Sequence, residues 1–246
     1  MSNETGNKLI NENIQFPNSE DLVKAGAHFG HRTTKWNPKM ESFIFGAKND
    51  VHIFDVEKTL EYLKKAMDFL REVASRNGKI LLVGTTPAAQ KIIIQAAEAS
   101  GMPFVAERWL GGTITNFKII AKRLNYFREL ERKREAGELQ KYTKKEQLDF
   151  DEELKKLEKK FGGIKHLIKP PDALFVLDPR KNSAAIKEVN IAKVPVVALC
   201  DSNTDPTSIN YPIPANDDAI SSLAIITSCV VKAINEGRKQ VVADKE

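Results

Sequence analysis

The sequence predicts an α/β sandwich on a mostly parallel sheet, with an antiparallel helical hairpin (coiled coil) protruding from it. Three observations carry this. Ile80-Leu81-Leu82-Val83, Ala173-Leu174-Phe175-Val176-Leu177 and Val194-Pro195-Val196-Val197-Ala198-Leu199-Cys200 are continuous apolar runs of strand length. Strands apolar on both sides belong to sheets covered on both faces, which are usually parallel. Helical periodicities alternate with these runs, as in α/β proteins. Between the two halves, 118–160 carries 14 Lys or Arg against 10 Asp or Glu, a net +4, with few apolar residues.

In chain order, residues 1–17 are polar and predict a flexible tail. Asn18-Ser19-Glu20-Asp21 opens a short helix that Gly26 ends. Phe43-Ile44-Phe45 and Val51-His52-Ile53-Phe54 predict two short strands. From Val56 to about Arg76, Leu60, Leu63, Met67, Leu70 and Val73 mark one buried helix face, and Asn77-Gly78 stops it. Ile80–Gly84 is a strand, and Thr85-Thr86-Pro87 opens the next helix with a hydroxyl cap and an early proline. Pro103–Ala106 is a further strand.

Phe117, Ile120, Leu124 and Phe127, then Phe150, Leu154, Leu157 and Phe161, form two narrow stripes suited to helices packed on each other. Ala136-Gly137 breaks the first helix, and Thr143-Lys144-Lys145-Glu146 caps the second. Strand 173–177, helix 183–190, strand 194–200 and an edge at Tyr211-Pro212-Ile213-Pro214 follow. A helix from Ala219 to Glu236 ends at Gly237, and 238–246 reads as a polar tail. The expected organisation is a globular domain of 18–116 and 162–237, a hairpin of 117–161 and two flexible ends.

The chain has 246 residues, with 38 Lys plus Arg against 33 Asp plus Glu, a net charge of +5. That balance permits a polyanion on one face but does not suit a protein coated by nucleic acid on all sides. Cys200 and Cys229 lie in apolar runs, form no CxxC pair and predict buried, reduced thiols in a cytoplasmic protein. The N-terminus lacks a signal pattern, and no apolar run is expected to reach the roughly 18 residues of a membrane helix.

Chemistry concentrates in Ala27–Met40. From His28 to Met40 there is no acidic residue, while Arg32, Lys35 and Lys39 supply positive charge. His28, His31, Phe29, Trp36 and Asn37 lie among them, and Gly30 and Pro38 break periodicity, which predicts an irregular loop. Cations attract phosphates, rings stack on unpaired bases and Asn reads base edges. The same residues also suit a surface loop whose rings cap the core. A second stretch, Arg108-Trp109-Leu110-Gly111-Gly112-Thr113-Ile114-Thr115-Asn116, is either RNA-facing or a hinge with Trp109 in the core.

Gly84–Lys91 lacks GxGxxG and Gly-Lys-Ser/Thr, so no nucleotide cofactor is expected. Asp178, Asp201, Asp205, Asp217 and Asp218 gather at expected strand and helix ends without a nucleophile or base motif. His28 and His31 are spaced for zinc, yet two histidines alone do not close a site. No catalytic triad or elbow stands out, and no enzyme is expected.

His28-Phe29-Gly30-His31, Trp36-Asn37-Pro38-Lys39-Met40, Phe43-Ile44-Phe45-Gly46-Ala47 and Val51-His52-Ile53-Phe54-Asp55 begin an ordered set of matches. Arg108–Asn116, Phe161-Gly162-Gly163-Ile164, Pro171–Val176 and Ile213–Ile220 complete it. Together, over about Leu22 to Arg238, they resemble the bacterial small-subunit ribosomal protein two family. The resemblance implies a flavodoxin-like or Rossmann-like domain with a coiled-coil hairpin. It further implies binding to 16S-type ribosomal RNA and to other small-subunit proteins, including ribosomal protein one and, through it, messenger RNA. The RNA-binding candidates are then His28, His31, Arg32, Lys35, Trp36, Asn37, Lys39, Arg108, Thr113, Asn116 and Lys118. Departures from the family pattern lie mostly in the ends and the hairpin surface.

Overall fold

Asn18 and Asp21 reciprocally cap the first helix, α1 (Ser19–Lys24), in the computed structural model, which describes residues 8–243 and side chains to residue 240. The chain then enters β1 (Phe29–Arg32), passes two 3-10 turns (Thr33–Lys35 and Pro38–Phe43), and returns as β2 (Ile44–Lys48) and β3 (Val51–Phe54). Asn49 and Asp50, at φ of 51° and 60°, make the tight turn between β2 and β3. The three strands form an antiparallel sheet in the order β1-β3-β2. The basic stretch is therefore a strand in its first half rather than an irregular loop, because β3 offers its second edge to Phe29–Arg32. The expected strand at Phe43 begins one residue later, since Asn37 and Pro38 wind Pro38–Phe43 into a 3-10 turn.

The remaining elements are α2 (Val56–Ser75), β4 (Ile80–Val83), α3 (Pro87–Ser100), β5 (Phe104–Val105), α4 (Phe117–Glu135), α5 (Lys144–Phe161), β6 (Ala173–Leu177), α6 (Ser183–Ala192), β7 (Val196–Cys200), β8 (Tyr211–Pro214) and α7 (Ile220–Ala243). Five of the strands form a wholly parallel sheet, β5-β4-β6-β7-β8. Every residue of β4, β6 and β7 is buried. Successive side chains alternate between faces. Ile80, Leu82, Phe175 and Leu199 join one core with α2, α3 and α7, while Leu81, Val83, Leu174 and Val176 join the other with Trp109, α6 and the seam of α4 and α5. Ile120, Leu124 and Phe127 on α4 and Leu154, Leu157 and Phe161 on α5 are buried.

Two expectations fail at the ends. Residues 8–17 are not a free tail: Ile10 is 2% exposed in the core, Leu9 N–H donates to Gln95 Oε1 at 2.8 Å, and Asn11 N–H to Ser228 Oγ at 3.0 Å. Leu9, Ile10 and Ile14 supply the apolar surface that docks the segment. Residues 1–7 of that expected tail lie outside the described residues. At the other end, α7 runs through Gly237 to Ala243. Gly237 is there for packing, not termination: a Cβ would lie 2.3 Å from Arg71 O and 2.9 Å from Ala74 Cβ on α2. Thus 238–243 is helix, and only 244–246 of the second expected tail lies outside the description.

Ile220–Gln240 is also long and apolar enough to cross a membrane, contrary to the expectation that no run approaches that length. Most of this segment is buried inside the domain against α2 and α3, so its apolar character serves the core. Cys200 and Cys229 are free and buried.

Candidate nucleic-acid interface

The basic stretch is fastened to the C-terminal end of β7. His31 N–H donates to Ser202 Oγ at 2.8 Å, and Asn37 N–H to Ser202 O at 2.7 Å. Gly30 allows this approach, since a Cβ there would sit 2.8 Å from Ser202 Oγ. The His31 imidazole stands between two carboxylates, Nδ1 at 2.9 Å from Asp201 Oδ1 and Nε2 at 3.5 Å from Asp218 Oδ2. The hydrogen bond to Asp201 raises the His31 pKa, against the opposing effect of burial.

Asp217 N–H donates to Asp201 Oδ2 at 3.3 Å, while the Asp217 carboxylate has no hydrogen-bond donor among the described residues. The residue is 6% exposed. Burial, with Asp201, Asp178 and Asp218 nearby, pushes its carboxyl up to about 8. His31, Asp201 and Asp217 bring one ligand atom each within 4.8 Å of one another, a set able to hold a divalent cation. His28 takes no part in that group. An extended chain turns residues three apart to opposite faces, and the His28 ring packs on Phe29 with centroids 3.9 Å apart. Burial lowers the His28 pKa.

The other candidates of the stretch divide. Asn37 Oδ1 accepts Lys39 N–H at 3.0 Å and so caps the 3-10 turn. Lys39 Nζ lies 2.7 Å from Asp205 Oδ2 and 3.3 Å from Thr207 Oγ1, and holds the Asp205 carboxyl down at about 2. Trp36 is half-buried, its ring 5.0 Å from that of His52. Arg32 and Lys35 are exposed and have no carboxylate partner among the described residues.

Arg108–Asn116 wraps around a residue that sequence reasoning missed. Glu188 on α6 accepts from Trp109 Nε1 (3.0 Å), Gly112 N (2.7 Å), Ile114 N (3.0 Å), Thr115 N (3.3 Å) and Thr115 Oγ1 (3.2 Å). Burial pushes its carboxyl up, and these hydrogen bonds more than offset that, leaving it below its ordinary value. Nothing near Glu188 in the sequence signals the partnership, because the loop it organises lies more than seventy residues earlier. Thr113 is a correction: it is 1% exposed, and its hydroxyl donates to Leu110 O at 2.5 Å, so it is not presented to a ligand. Arg108, Asn116 and Lys118 are exposed.

The two stretches thus flank one end of the parallel sheet. The first sits at β7, and the second leaves β5, three strand spacings or roughly 14 Å across. Both present exposed cations with no carboxylate partner among the described residues.

The family model for ribosomal protein S2 matches residues 22–237. The chain belongs to the ribosomal protein S2 family. It is 47% identical over 219 residues to the small ribosomal subunit protein uS2 of Roseiflexus sp. (strain RS-1), covering 89% of this chain and 84% of the relative. It is 46% identical over 226 residues to that of Marinobacter nauticus, covering 92% and 90%. The protein of the same name from Petrotoga mobilis is 46% identical over 220 residues, covering 89% and 76%. Membership of the ribosomal protein S2 family makes the chain a structural protein of the cytoplasmic ribosome rather than an enzyme.

Proposed function

We propose that the chain binds the 16S-type RNA of the small ribosomal subunit, contacts neighbouring ribosomal proteins, and supports recruitment of ribosomal protein one and thereby messenger RNA. The observation that carries the RNA reading is the pair Arg32 and Lys35, exposed and without a carboxylate partner among the described residues, on a stretch pinned to β7 through Ser202. Cations held this way neutralise phosphates without first breaking internal ion pairs, and released counterions make affinity fall with salt. Arg108, Asn116 and Lys118 extend the contact on the β5 side. His28, Trp36 and the exposed edge of Phe29 would pack against irregular RNA, while His31, Asn37 and Lys39 hold the stretch in shape. The α4–α5 pair serves as a separate hairpin unit. The test is incorporation of the Arg32→Ala/Lys35→Ala variant in competition with the parent chain. Depletion from gradient-purified subunits is expected, and equal occupancy would remove this stretch as an anchor.

A further inference from the structure

In the sheet order β5-β4-β6-β7-β8, the chain leaves β4 toward one edge and β6 toward the other. Open α/β sheets hold ligands outside the carboxyl ends of the strands at such a point. Here a cavity of about 590 Å³ lies between the start of α3, which follows β4, and the loop from β6 to α6. One wall seeks an anion. Thr86 stands at the N-cap of α3 but makes no capping bond, and its Oγ1 is buried without a partner. The hydroxyl cap expected from the sequence is therefore absent. The amides of Ala89 and Gln90 turn to Thr86 O, Pro87 has no amide hydrogen, and Ala88 N–H has no acceptor among the described residues. A free amide at a helix start favours phosphate. Arg180 and Lys181 line the same cavity, exposed and with no carboxylate within ion-pair distance among the described residues. Their loop is held by Lys181 N–H, which donates to Asp178 Oδ1 at 3.0 Å.

The opposite wall seeks a cation. Asp217 lines the cavity at 6% exposure, and its carboxylate has no donor among the described residues. A buried charge left without a partner is costly. Asp178 and Asp218 add two more carboxylates to the lining, and His31 an imidazole. A bare phosphate would meet all three acids, while a bare cation would leave Ala88 N–H, Arg180 and Lys181 unanswered. A phosphate that arrives with its divalent cation answers both walls, because such a cation is shared between carboxylates and phosphate oxygens. β4 and β7 lie two strand spacings apart, roughly 10 Å, a span that a diphosphate with its cation covers. We propose that this cavity takes a phosphate group together with its divalent cation, the phosphate against Ala88, Arg180 and Lys181 and the cation on the side of His31 and Asp217. The phosphate belongs to a free nucleotide or to an RNA strand.

Calorimetric titration of the full-length chain tests this with four probes: ADP with Mn²⁺, ADP alone, Mn²⁺ alone, and a short RNA strand without terminal phosphates, with Mn²⁺. Arg180→Gln/Lys181→Gln removes two exposed cations, and circular dichroism checks that the fold is kept. ADP should bind with Mn²⁺ and not without it. The variant should weaken that binding about tenfold or more without weakening Mn²⁺ bound alone. The same dependence on Mn²⁺ and on Arg180 and Lys181 for the RNA strand, but not for ADP, also supports the site and names the strand as the source. Mn²⁺ bound alone, with ADP adding nothing and RNA binding untouched by the variant, is a plain cation site and overturns the proposal. ADP binding that the variant does not weaken overturns it as well, and so does a chain that takes up neither Mn²⁺ nor ADP. A chain that binds no RNA yet keeps its Mn²⁺-dependent ADP site sinks only the RNA reading above.

Discussion

His31 Nδ1 lies 2.9 Å from Asp201 Oδ1, joining the basic stretch to the end of β7. His31 and the neighbouring Asp217 set a pH dependence. His31 is raised from its ordinary value, and Asp217 is raised to about 8. Between about pH 4 and 8 the folded chain holds protons that the unfolded chain has released. Stability must then fall as pH rises through that window. Urea melts should give a higher midpoint at pH 6 than at pH 8, with Asp217→Asn flattening the difference. A midpoint that rises from pH 6 to 8 would contradict this account of the cluster.

A divalent cation on His31, Asp201 and Asp217 competes with those protons. Zinc added to the purified chain should raise Tm more at pH 8 than at pH 6, with each kcal/mol gained worth about 2–4 °C for a chain of this size. Asp217→Asn should abolish the gain and His28→Ala should not. Equal stabilisation of parent and Asp217→Asn would place the cation elsewhere.

Replacing Glu188 tests the second stretch. Glu188→Ala leaves Trp109 Nε1–H and the Gly112 and Ile114 amides without their acceptor, at a cost of about 3 kcal/mol. Trp109 fluorescence should report a loosened loop before global unfolding. Because the Glu188 pKa is lowered on folding, its contribution is present above the ordinary carboxyl range and is lost as pH falls through the folded value. A variant with parental stability would mean that the loop is held by packing alone.

Much of the fold was legible because its signals are local. Buried strands such as Ala173–Leu177 announce themselves by continuous apolarity, and the Thr143/Glu146 capping box by its spacing. The ends were misread because their decisive facts are tertiary. Gly237 resembles a stop signal until α2 lies against it, and Ile10 resembles a tail residue until α3 and α7 enclose it. The placement of the candidate side chains was only partly legible for the same reason. Arg32 and Lys35 stay free as their residue types suggest, whereas Lys39 is taken up by Asp205 and Thr113 by Leu110. Glu188 and Ser202 were invisible as organisers, being remote in sequence from the loops they hold.

The central claim is attachment to the small subunit through phosphate contacts. It is tested most directly by sucrose-gradient sedimentation of lysate containing the tagged chain, at low and at high salt. The account predicts co-migration with the small subunit at low salt and release as salt rises. A chain that stays at the top of the gradient at every salt concentration, with free subunit sites available, would contradict it.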